Sequence, residues 1–256
     1  MRKPLLIDLD GVLRIGDSTA PYIKEFLNFI ETNKIPACIL SNSSLYTSKQ
    51  IEIFFQTNEI EIKIPIITAI DAAYNYLKGK YKKVAVYVSH NVVGEFSEFL
   101  EYENPEAVLI GDIGENWNYK LMQTIFDYVR NGAELVAVHK NKYWNVPGKG
   151  IMLDAGTFIH GIEFASSQNA MIIGKPSKIY FESALKKIGI ETNSQFTMLG
   201  DDLETDIMGS KLINAETILI LTGKTKLPIP NKFLHLIDQT ANDLNEVIKI
   251  IENRES

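Results

Sequence analysis

Short runs of apolar residues alternate with longer segments of helical periodicity along most of this chain. The apolar runs predict buried strands, and the periodic segments predict helices with one apolar side. Strands that alternate with helices are typical of a parallel sheet, because each connection must cross a face of the sheet. The sequence therefore predicts an α/β protein with a three-layer core, in which helices cover both faces of a parallel sheet.

The predicted elements follow from these two patterns. Strands are expected at residues 5–8, 36–40, 84–88, 107–110, 134–138, 170–173, 196–199 and 216–221, and helices at 22–30, 46–58, 69–77, 119–131, 179–188 and 240–254. Residues 141–167 break the alternation, since they hold Trp144, Pro147 and several glycines. This stretch predicts loops with short helices.

Composition limits the classes of protein that fit. The 256 residues allow one large or two modest domains, and 45% hydrophobic with 23% charged residues is ordinary for a soluble globular chain. A net charge of −6 argues against nucleic acid as a partner. No apolar run approaches the roughly 20 residues of a membrane span, and Asp8 interrupts the first run before a signal-peptide core can form. We expect a cytoplasmic protein without a nucleic-acid or membrane partner.

The single cysteine, Cys38, excludes an intramolecular disulfide. It lies within the apolar run at residues 36–40, where a buried structural thiol is expected rather than a nucleophile.

Two carboxylates follow the first apolar run at once. Asp8 and Asp10 stand where the strand that begins at Leu5 should end, and Gly11 comes next. Ligands of open α/β sheets bind at the carboxyl ends of the strands, so both side chains would enter one small space. Like charges this close require a cation, a shared proton or a catalytic role. Taken alone, the pair also fits a surface turn with two solvated carboxylates.

Polar clusters close three further predicted strands: Ser41 and Asn42, then Lys175, then Asp201, Asp202 and Asp206. Each alone is also typical of a helix N-cap, a solvated loop lysine or the charged first turn of a helix. Together they supply the groups of a phosphoryl-transfer site: carboxylates for Mg²⁺, and a hydroxyl, an amide and an ammonium for phosphate oxygens. An aspartate in such a site can act as nucleophile and form an aspartyl phosphate.

These segments together resemble a known family. In chain order, Asp8-Leu9-Asp10-Gly11-Val12, Ser41-Asn42, Gly174-Lys175-Pro176 and Gly200-Asp201-Asp202-Leu203-Glu204-Thr205-Asp206 are similar to the four motifs of haloacid dehalogenase-like (HAD) phosphatases. The last two segments, with Leu221-Thr222-Gly223 after them, resemble the NagD-like subclass with a type IIA cap. The resemblance covers nearly the whole chain and implies a Rossmann-like core with an inserted α/β cap domain.

The resemblance also implies a role for each residue. Asp8 would be the nucleophile and a Mg²⁺ ligand, and Asp10 would be the general acid and base, with its carbonyl on the metal. Asp201 would be a further metal ligand. The remaining roles are phosphate binding by Ser41, Asn42 and Lys175, and the orientation of waters or of Lys175 by Asp202 and Asp206.

The inserted cap is expected between the second and third motifs. It would span residues 83–170, with the core formed by 1–82 and 171–256, and it would read the leaving group of the substrate. His139 and Lys140 follow a predicted cap strand, so either a substrate contact or an ordinary loop role fits them. Caps of this subclass often mediate homodimers, so a homodimer through the cap is among the expected partners.

The resulting hypothesis is a Mg²⁺-dependent phosphomonoesterase that cleaves a small soluble phosphate ester through an aspartyl phosphate. The alternative from another class is a binding protein that keeps the fold and senses a phosphometabolite without turnover. A nucleotide-binding P-loop at Gly223-Lys224-Thr225 is excluded, because Ile218 stands where that motif needs a glycine. Sugar phosphates, nucleoside monophosphates, pyridoxal phosphate and phosphoglycolate all remain open as substrates.

Overall fold

The computed structural model describes residues 3–146, 148 and 150–253. Strands and helices alternate along it. The strands are β1 Leu5–Asp8, β2 Arg14–Ile15, β3 Ser18–Thr19, β4 Ala37–Ser41, β5 Ile66–Thr68, β6 Val84–Tyr87, β7 Ala107–Ile110, β8 Glu134–Ala137, β9 Tyr143–Val146, β10 Gly150–Leu153, β11 Met171–Ile172, β12 Thr197–Gly200, β13 Glu216–Ile220 and β14 Gln239–Ala241. The helices are α1 Ile23–Thr32, α2 Ser48–Thr57, α3 Ala69–Leu77, α4 Tyr119–Arg130, α5 Ala155–Ser166, α6 Lys178–Lys187, α7 Gly209–Lys211, α8 Asn231–Leu234 and α9 Leu244–Asn253, with a π-helical segment at Leu203–Met208. None of the helices in the described ranges has the length and apolar character needed to pass through a bilayer.

The chain forms two compact units. The first is drawn from Met1–Ser41, Ser48–Ile67 and Lys175–Ser256, and the second from Asn42–Thr47 and Thr68–Gly174. The second unit is wider than the expected insert at 83–170. One reason is that α3 packs its apolar side into the same hydrophobic cluster as β6 and β7, so its residues belong to the second unit.

The first unit contains the six-stranded sheet β14-β13-β12-β1-β4-β5. Its central strand, β1, pairs in parallel with β4 and β12, and β12, β13 and β14 also pair in parallel. All residues of β1 and β4 are buried, as expected for inner strands of a parallel sheet.

Side chains alternate between the two faces of this sheet. On one face, Leu5 and Ile7 pack in a core with apolar residues of α1, α2 and α9. Leu6 and Cys38 alternate to the other face, against which α6 lies. The first unit is therefore a Rossmann-like three-layer core. Burial raises the pKa of the Cys38 thiol to about 12, which fits the predicted structural thiol.

The second unit is a smaller α/β domain. Its four-stranded parallel sheet has the order β11-β8-β7-β6. One face packs against α3, and the other packs against α4 and α5. The helix α3 begins with a capping box, in which the Thr68 hydroxyl accepts from the Asp71 N–H and the Asp71 carboxylate accepts from the Thr68 N–H.

The prediction of loops with short helices for residues 141–167 is wrong. The described part of this stretch forms the antiparallel hairpin β9–β10 and the twelve-residue helix α5. Asp154 caps α5 by accepting a hydrogen bond from the Ala155 N–H at 2.6 Å, and Ile159 and Ile162 of the helix are buried. The glycines in this stretch argued against a helix in the sequence, but the cap and tertiary packing stabilise α5.

The buried hydroxyl of Tyr180 contacts backbone carbonyls of the neighbouring strands β4 and β5. Tyr180 on α6 is buried, and its hydroxyl lies 2.7 Å from the carbonyl oxygen of Ser41 and 2.9 Å from that of Ile67. Both carbonyls stand at points where the chain leaves the first unit for the second.

We expect Tyr180→Phe to lower the free energy of unfolding by about 1–3 kcal/mol, because the buried carbonyls of Ser41 and Ile67 lose their hydroxyl donor. Urea unfolding of the two proteins measures the change. Tyr128→Phe is the matched control, since the Tyr128 hydroxyl donates to the Tyr102 carbonyl at the surface and should matter less. Equal losses in the two variants would contradict this account of Tyr180.

Candidate active site

Three neighbouring strands of the first unit end in polar residues. The strand β1 ends at Asp8, β4 ends at Ser41, and Asp201 comes directly after β12. Since β12, β1 and β4 are adjacent and parallel, these ends lie along one edge of the sheet. That edge is where open α/β sheets bind ligands.

A buried lysine joins two of the carboxylates. The Lys175 ammonium lies 2.5 Å from Oδ1 of Asp8 and 2.6 Å from Oδ1 of Asp206, and all three side chains are buried. Charge-assisted bonds of this length in a buried setting fix the positions of both carboxylates. Lys175 is therefore a member of the cluster and not a solvated loop lysine.

Asp206 is held on its other oxygen by the backbone. Its Oδ2 accepts hydrogen bonds from the N–H groups of Asp201 at 3.2 Å and of Asp202 at 3.1 Å. The π-helical segment Leu203–Met208 returns Asp206 to the end of β12. Gly200 makes room for it, since a Cβ at that position would lie 2.4 Å from the Cβ of Asp206.

Asp201 is enclosed by two glycines. A Cβ at Gly11 would lie 2.1 Å from Oδ2 of Asp201, and one at Gly223 would lie 1.7 Å from the same oxygen. Gly11 also has a φ of +85°, which side chains disfavour. The Lys224 N–H donates to Oδ2 of Asp201, and the Thr225 N–H donates to its carbonyl at 3.2 Å. The segment after β13 thus takes part in the site.

Burial dominates the electrostatics of these groups. It raises the pKa of Asp8 well above its usual value, and the Asp206 charge raises it further, while Lys175 opposes both. Burial, with Asp206 next, raises the pKa of Asp201 to about 7. The pKa of Asp206 is also raised, chiefly by burial and against the effect of Lys175. Burial alone would lower the pKa of Lys175, but Asp206 and Asp8 raise it, so the ammonium stays charged.

The cluster has the donor set of a divalent metal site. Asp8, Asp201 and Asp206 each offer one oxygen, and these oxygens lie within 4.8 Å of one another. Three buried carboxylates share one ammonium, so the site carries an excess of negative charge that a hard cation would compensate. The residues present therefore fit a divalent cation, with Asp8 and Asp201 better suited than Asp206, whose two oxygens already accept hydrogen bonds.

Asp202 lies beside this cluster in a different environment. Its Oδ1 accepts from the N–H groups of Glu204 at 2.8 Å and Thr205 at 3.2 Å, which caps the π-helical segment. Its Oδ2 pairs with the exposed ammonium of Lys224. Burial would raise the pKa of Asp202, but Lys224 and the two N–H donors hold it below its usual value.

Asp10 is set apart from the buried carboxylates. Its side chain is 52% exposed, and its Oδ1 accepts a hydrogen bond from Nε of Arg14 at 2.7 Å and lies 2.6 Å from Nη2 of the same ion-paired guanidinium. Arg14 stands on the short strand β2, which periodicity could not reveal in two residues. The only sequence signal for this contact is that Arg14 stands four residues after Asp10.

Ser41 and Asn42 fall in different units. Ser41 is fully buried at the end of β4, where its carbonyl meets Tyr180. Asn42 belongs to the second unit, where its Oδ1 would lie 2.6 Å from a Cβ placed on Gly174. Ser41 therefore lies at the same sheet edge as Asp8, whereas Asn42 lies in the second unit.

His139 and Lys140, the two candidate substrate contacts, have partners within the second unit. His139 is buried, and its Nε2 lies 3.2 Å from the Ser44 hydroxyl, while its Nδ1 accepts from the Asn141 N–H. The Lys140 ammonium pairs with the buried carboxylate of Glu163 at 2.6 Å. Both side chains thus have internal partners, and a substrate role for either stays a prediction.

Comparisons with known proteins give the family of this chain. A family model described as haloacid dehalogenase-like hydrolase matches residues 5–99, and a second, HAD-hydrolase-like model matches residues 172–247. Haloacid dehalogenase-like hydrolase domain-containing protein 2 of Mus musculus is 31% identical over 225 residues, which cover 88% of this chain and 86% of that protein. The chain belongs to the haloacid dehalogenase-like hydrolase family. Human phospholysine phosphohistidine inorganic pyrophosphate phosphatase is also 31% identical, over 87% of this chain and 84% of its own.

Solved structures of two phosphatase-related proteins have the same fold as this chain. NagD from E. coli K-12 superposes with a TM-score of 0.79 at 25% identity, over 96% of this chain and 98% of that one. A p-nitrophenyl phosphatase from Archaeoglobus fulgidus gives a TM-score of 0.85 at 20% identity, over 97% and 99% of the two chains, which is a likeness of fold. The predicted α/β fold and the predicted class, a NagD-like HAD phosphatase, are confirmed.

We expect Lys175→Met to lower the free energy of unfolding by about 3–5 kcal/mol, because it leaves Asp8 and Asp206 buried without a counter-ion. Chemical denaturation measures the loss. Lys211→Met is the control: its ammonium pairs with Asp238 at 2.6 Å in a partly exposed setting, so its removal should cost about 1 kcal/mol or less. A Lys175 variant as stable as the Lys211 variant would be inconsistent with the buried bridge described above.

Proposed function

We propose that this HAD phosphatase is a Mg²⁺-dependent phosphomonoesterase that works through an aspartyl phosphate on Asp8. The observation that carries the proposal is the buried cluster in which Lys175 bridges Asp8 and Asp206, with Asp201 beside them. An arrangement of fixed charges at a sheet edge suits phosphoryl transfer, in which catalysis is mostly positioning and charge neutralisation.

In the first half-reaction, a carboxylate oxygen of Asp8 attacks phosphorus and the bond from phosphorus to the ester oxygen breaks. Asp10 gives a proton to that oxygen, so the leaving group departs as a neutral alcohol. Lys175 holds the Asp8 carboxylate in place and offers positive charge to the transferring group. Ser41, at the end of the neighbouring strand, and Asn42 donate to phosphate oxygens in this proposal.

In the second half-reaction, water attacks the phosphorus of the aspartyl phosphate. Asp10, now a carboxylate, takes a proton from that water, and the bond from phosphorus to Asp8 breaks. Inorganic phosphate leaves, and both aspartates return to their starting states. The net reaction consumes one water and needs no other co-reactant.

Asp8 and Asp201 would hold the metal with side-chain oxygens, and Asp10 would add its backbone carbonyl. When bound, Mg²⁺ supplies positive charge to the phosphoryl oxygens and to the carboxylates around it. Asp202 and Asp206 act through their neighbours: Asp206 positions Lys175, and Asp202 fixes the segment that carries Asp206.

We propose a small soluble phosphate ester as the substrate, and the test therefore begins with a generic one. The generic ester p-nitrophenyl phosphate is suitable, because a p-nitrophenyl phosphatase has a similar fold. The panel should add sugar phosphates, nucleoside monophosphates, pyridoxal phosphate and phosphoglycolate. It should also add pyrophosphate, phospholysine and phosphohistidine, since these appear in the name of a relative.

We expect Asp8→Asn to reduce hydrolysis by several orders of magnitude, because an amide is not a nucleophile toward phosphorus. Release of p-nitrophenol with Mg²⁺ and with EDTA is measured for both proteins. Asp127→Asn, on the exposed side of α4, is the matched control and should keep full activity. Activity in the Asp8→Asn protein would refute the assignment of Asp8 as the nucleophile. If the wild type hydrolysed none of the esters in the panel, the alternative of a phosphometabolite sensor without turnover would be favoured.

We expect Mg²⁺ to raise the melting temperature more at pH 8 than at pH 6. The pKa of Asp201 is about 7, so at pH 6 a proton competes with the metal for this carboxyl. Without metal, the raised pKa means that the folded protein holds a proton that the unfolded chain has released. The contribution of Asp201 to stability therefore falls as the pH rises from about 4 toward 7, and Mg²⁺ offsets the loss.

Calorimetric melting with and without Mg²⁺ at the two pH values tests this expectation. Asp201→Asn should lose most of the Mg²⁺-induced shift. Asp238→Asn is the control, since Asp238 pairs with Lys211 outside the cluster, and it should keep the shift. Equal shifts at pH 6 and pH 8, or a full shift in the Asp201 variant, would count against Asp201 as a metal ligand.

A further inference from the structure

Arg14 forms a hydrogen bond and an ion pair with the side chain that the proposed function uses as acid and base. Nε and Nη2 of Arg14 lie 2.7 Å and 2.6 Å from the same oxygen, Oδ1 of Asp10. The arginine side chain is only 14% exposed, whereas the aspartate side chain is 52% exposed. Oδ2 of Asp10 accepts no hydrogen bond from the described residues.

Arg14 is itself held by the fold around it. The Leu9 carbonyl accepts hydrogen bonds from the N–H groups of Leu13 and Arg14, both at 2.9 Å, and the Gly11 N–H donates to the Arg14 carbonyl at 2.7 Å. The guanidinium carbon lies 5.4 Å from the centre of the Phe54 ring. A closed loop and an aromatic neighbour therefore set the guanidinium at a defined place opposite Asp10.

A half-exposed aspartate without such a partner would sample several rotamers, and each would place its oxygens differently. A guanidinium that donates a hydrogen bond from Nε to one oxygen, with Nη2 at ion-pair distance from the same oxygen, restricts that freedom. It also distinguishes the two oxygens, because Oδ1 is engaged and Oδ2 is left to carry the proton. A surface ion pair would add little to stability, so we attribute to this contact the positioning of the Asp10 side chain.

We propose that Arg14 is a positioning residue that holds the Asp10 carboxyl group for proton transfer to the leaving alcohol through Oδ2. This inference rests on the proposed function, in which Asp10 is the acid and base. Arg14 does not touch the substrate in this account. It acts through Asp10 alone, and it makes the first half-reaction efficient for esters whose alcohol needs a proton in order to leave.

The test compares two substrates that differ in one nitro group. Phenol is a poorer leaving group than p-nitrophenol, so phenyl phosphate depends on the proton from Asp10 and p-nitrophenyl phosphate depends on it less. The value of kcat/KM covers only the steps up to release of the alcohol. The ratio of kcat/KM for the two esters therefore reports the first proton transfer and leaves out the later attack of water.

We expect Arg14→Met to lower kcat/KM for phenyl phosphate about tenfold or more relative to p-nitrophenyl phosphate, within the roughly 10²–10⁴-fold that acid–base catalysis supplies. Arg14→Lys keeps the charge but not the planar guanidinium with its Nε donor, so it should restore part of the ratio. Should Arg14→Met fail to fold, Arg14→Gln replaces it. Arg130→Met is the matched control, since the guanidinium of Arg130 lies over the Phe126 ring on α4, and its ratio should stay that of the wild type.

Asp10→Asn separates this inference from the proposed function. If Asp10→Asn shows a large bias between the esters and Arg14→Met shows none, the role of Arg14 is refuted and that of Asp10 stands. If Asp10→Asn hydrolyses both esters as the wild type does, the proposed acid is wrong and the inference falls with it. In the double variant Asp10→Asn/Arg14→Met, the bias should be no larger than in Asp10→Asn alone, because Arg14 acts only through Asp10.

Discussion

The buried bridge from Lys175 to Asp8 and Asp206 is the interaction on which the rest of the site depends. Removing charges from water is costly, and a lone ammonium cannot balance all the carboxylates gathered at this edge of the sheet. In the proposed function, a divalent cation and the phosphate of the substrate bind beside these charges. Under the proposed function, stability and activity are therefore opposed here, because buried like charges lower the stability of the fold when no ligand compensates them.

The backbone makes this density of charge possible. Gly11 and Gly223 flank Asp201 so closely that neither position has room for a Cβ, and Gly200 does the same for Asp206. The parallel sheet brings β1, β4 and β12 to one edge, and the π-helical segment turns Asp206 back toward it. The glycines of the motifs are thus part of the packing of the site, since they let three chain segments meet around the carboxylates.

The sequence revealed the parts of this site that local patterns encode. Continuous apolar runs predicted the inner strands, and polar residues at their ends predicted that Asp8, Ser41 and Asp201 would share one edge. Arg14 escaped prediction because its strand has two residues, too few for any periodicity. The Tyr180 hydroxyl and the helix α5 escaped it too, because their partners lie far away in sequence or depend on tertiary packing.

Asp8 and Asp10 are separated by one residue, yet the fold gives them opposite surroundings. Asp8 is buried and faces an ammonium that stays charged, which would keep the proposed nucleophile fixed and oriented. Asp10 is half-exposed and faces a guanidinium on one oxygen only. A nucleophile must not move away from phosphorus, whereas an acid–base group must exchange its proton between the alcohol and water. In the proposed mechanism, these different environments allow one short loop to serve both tasks.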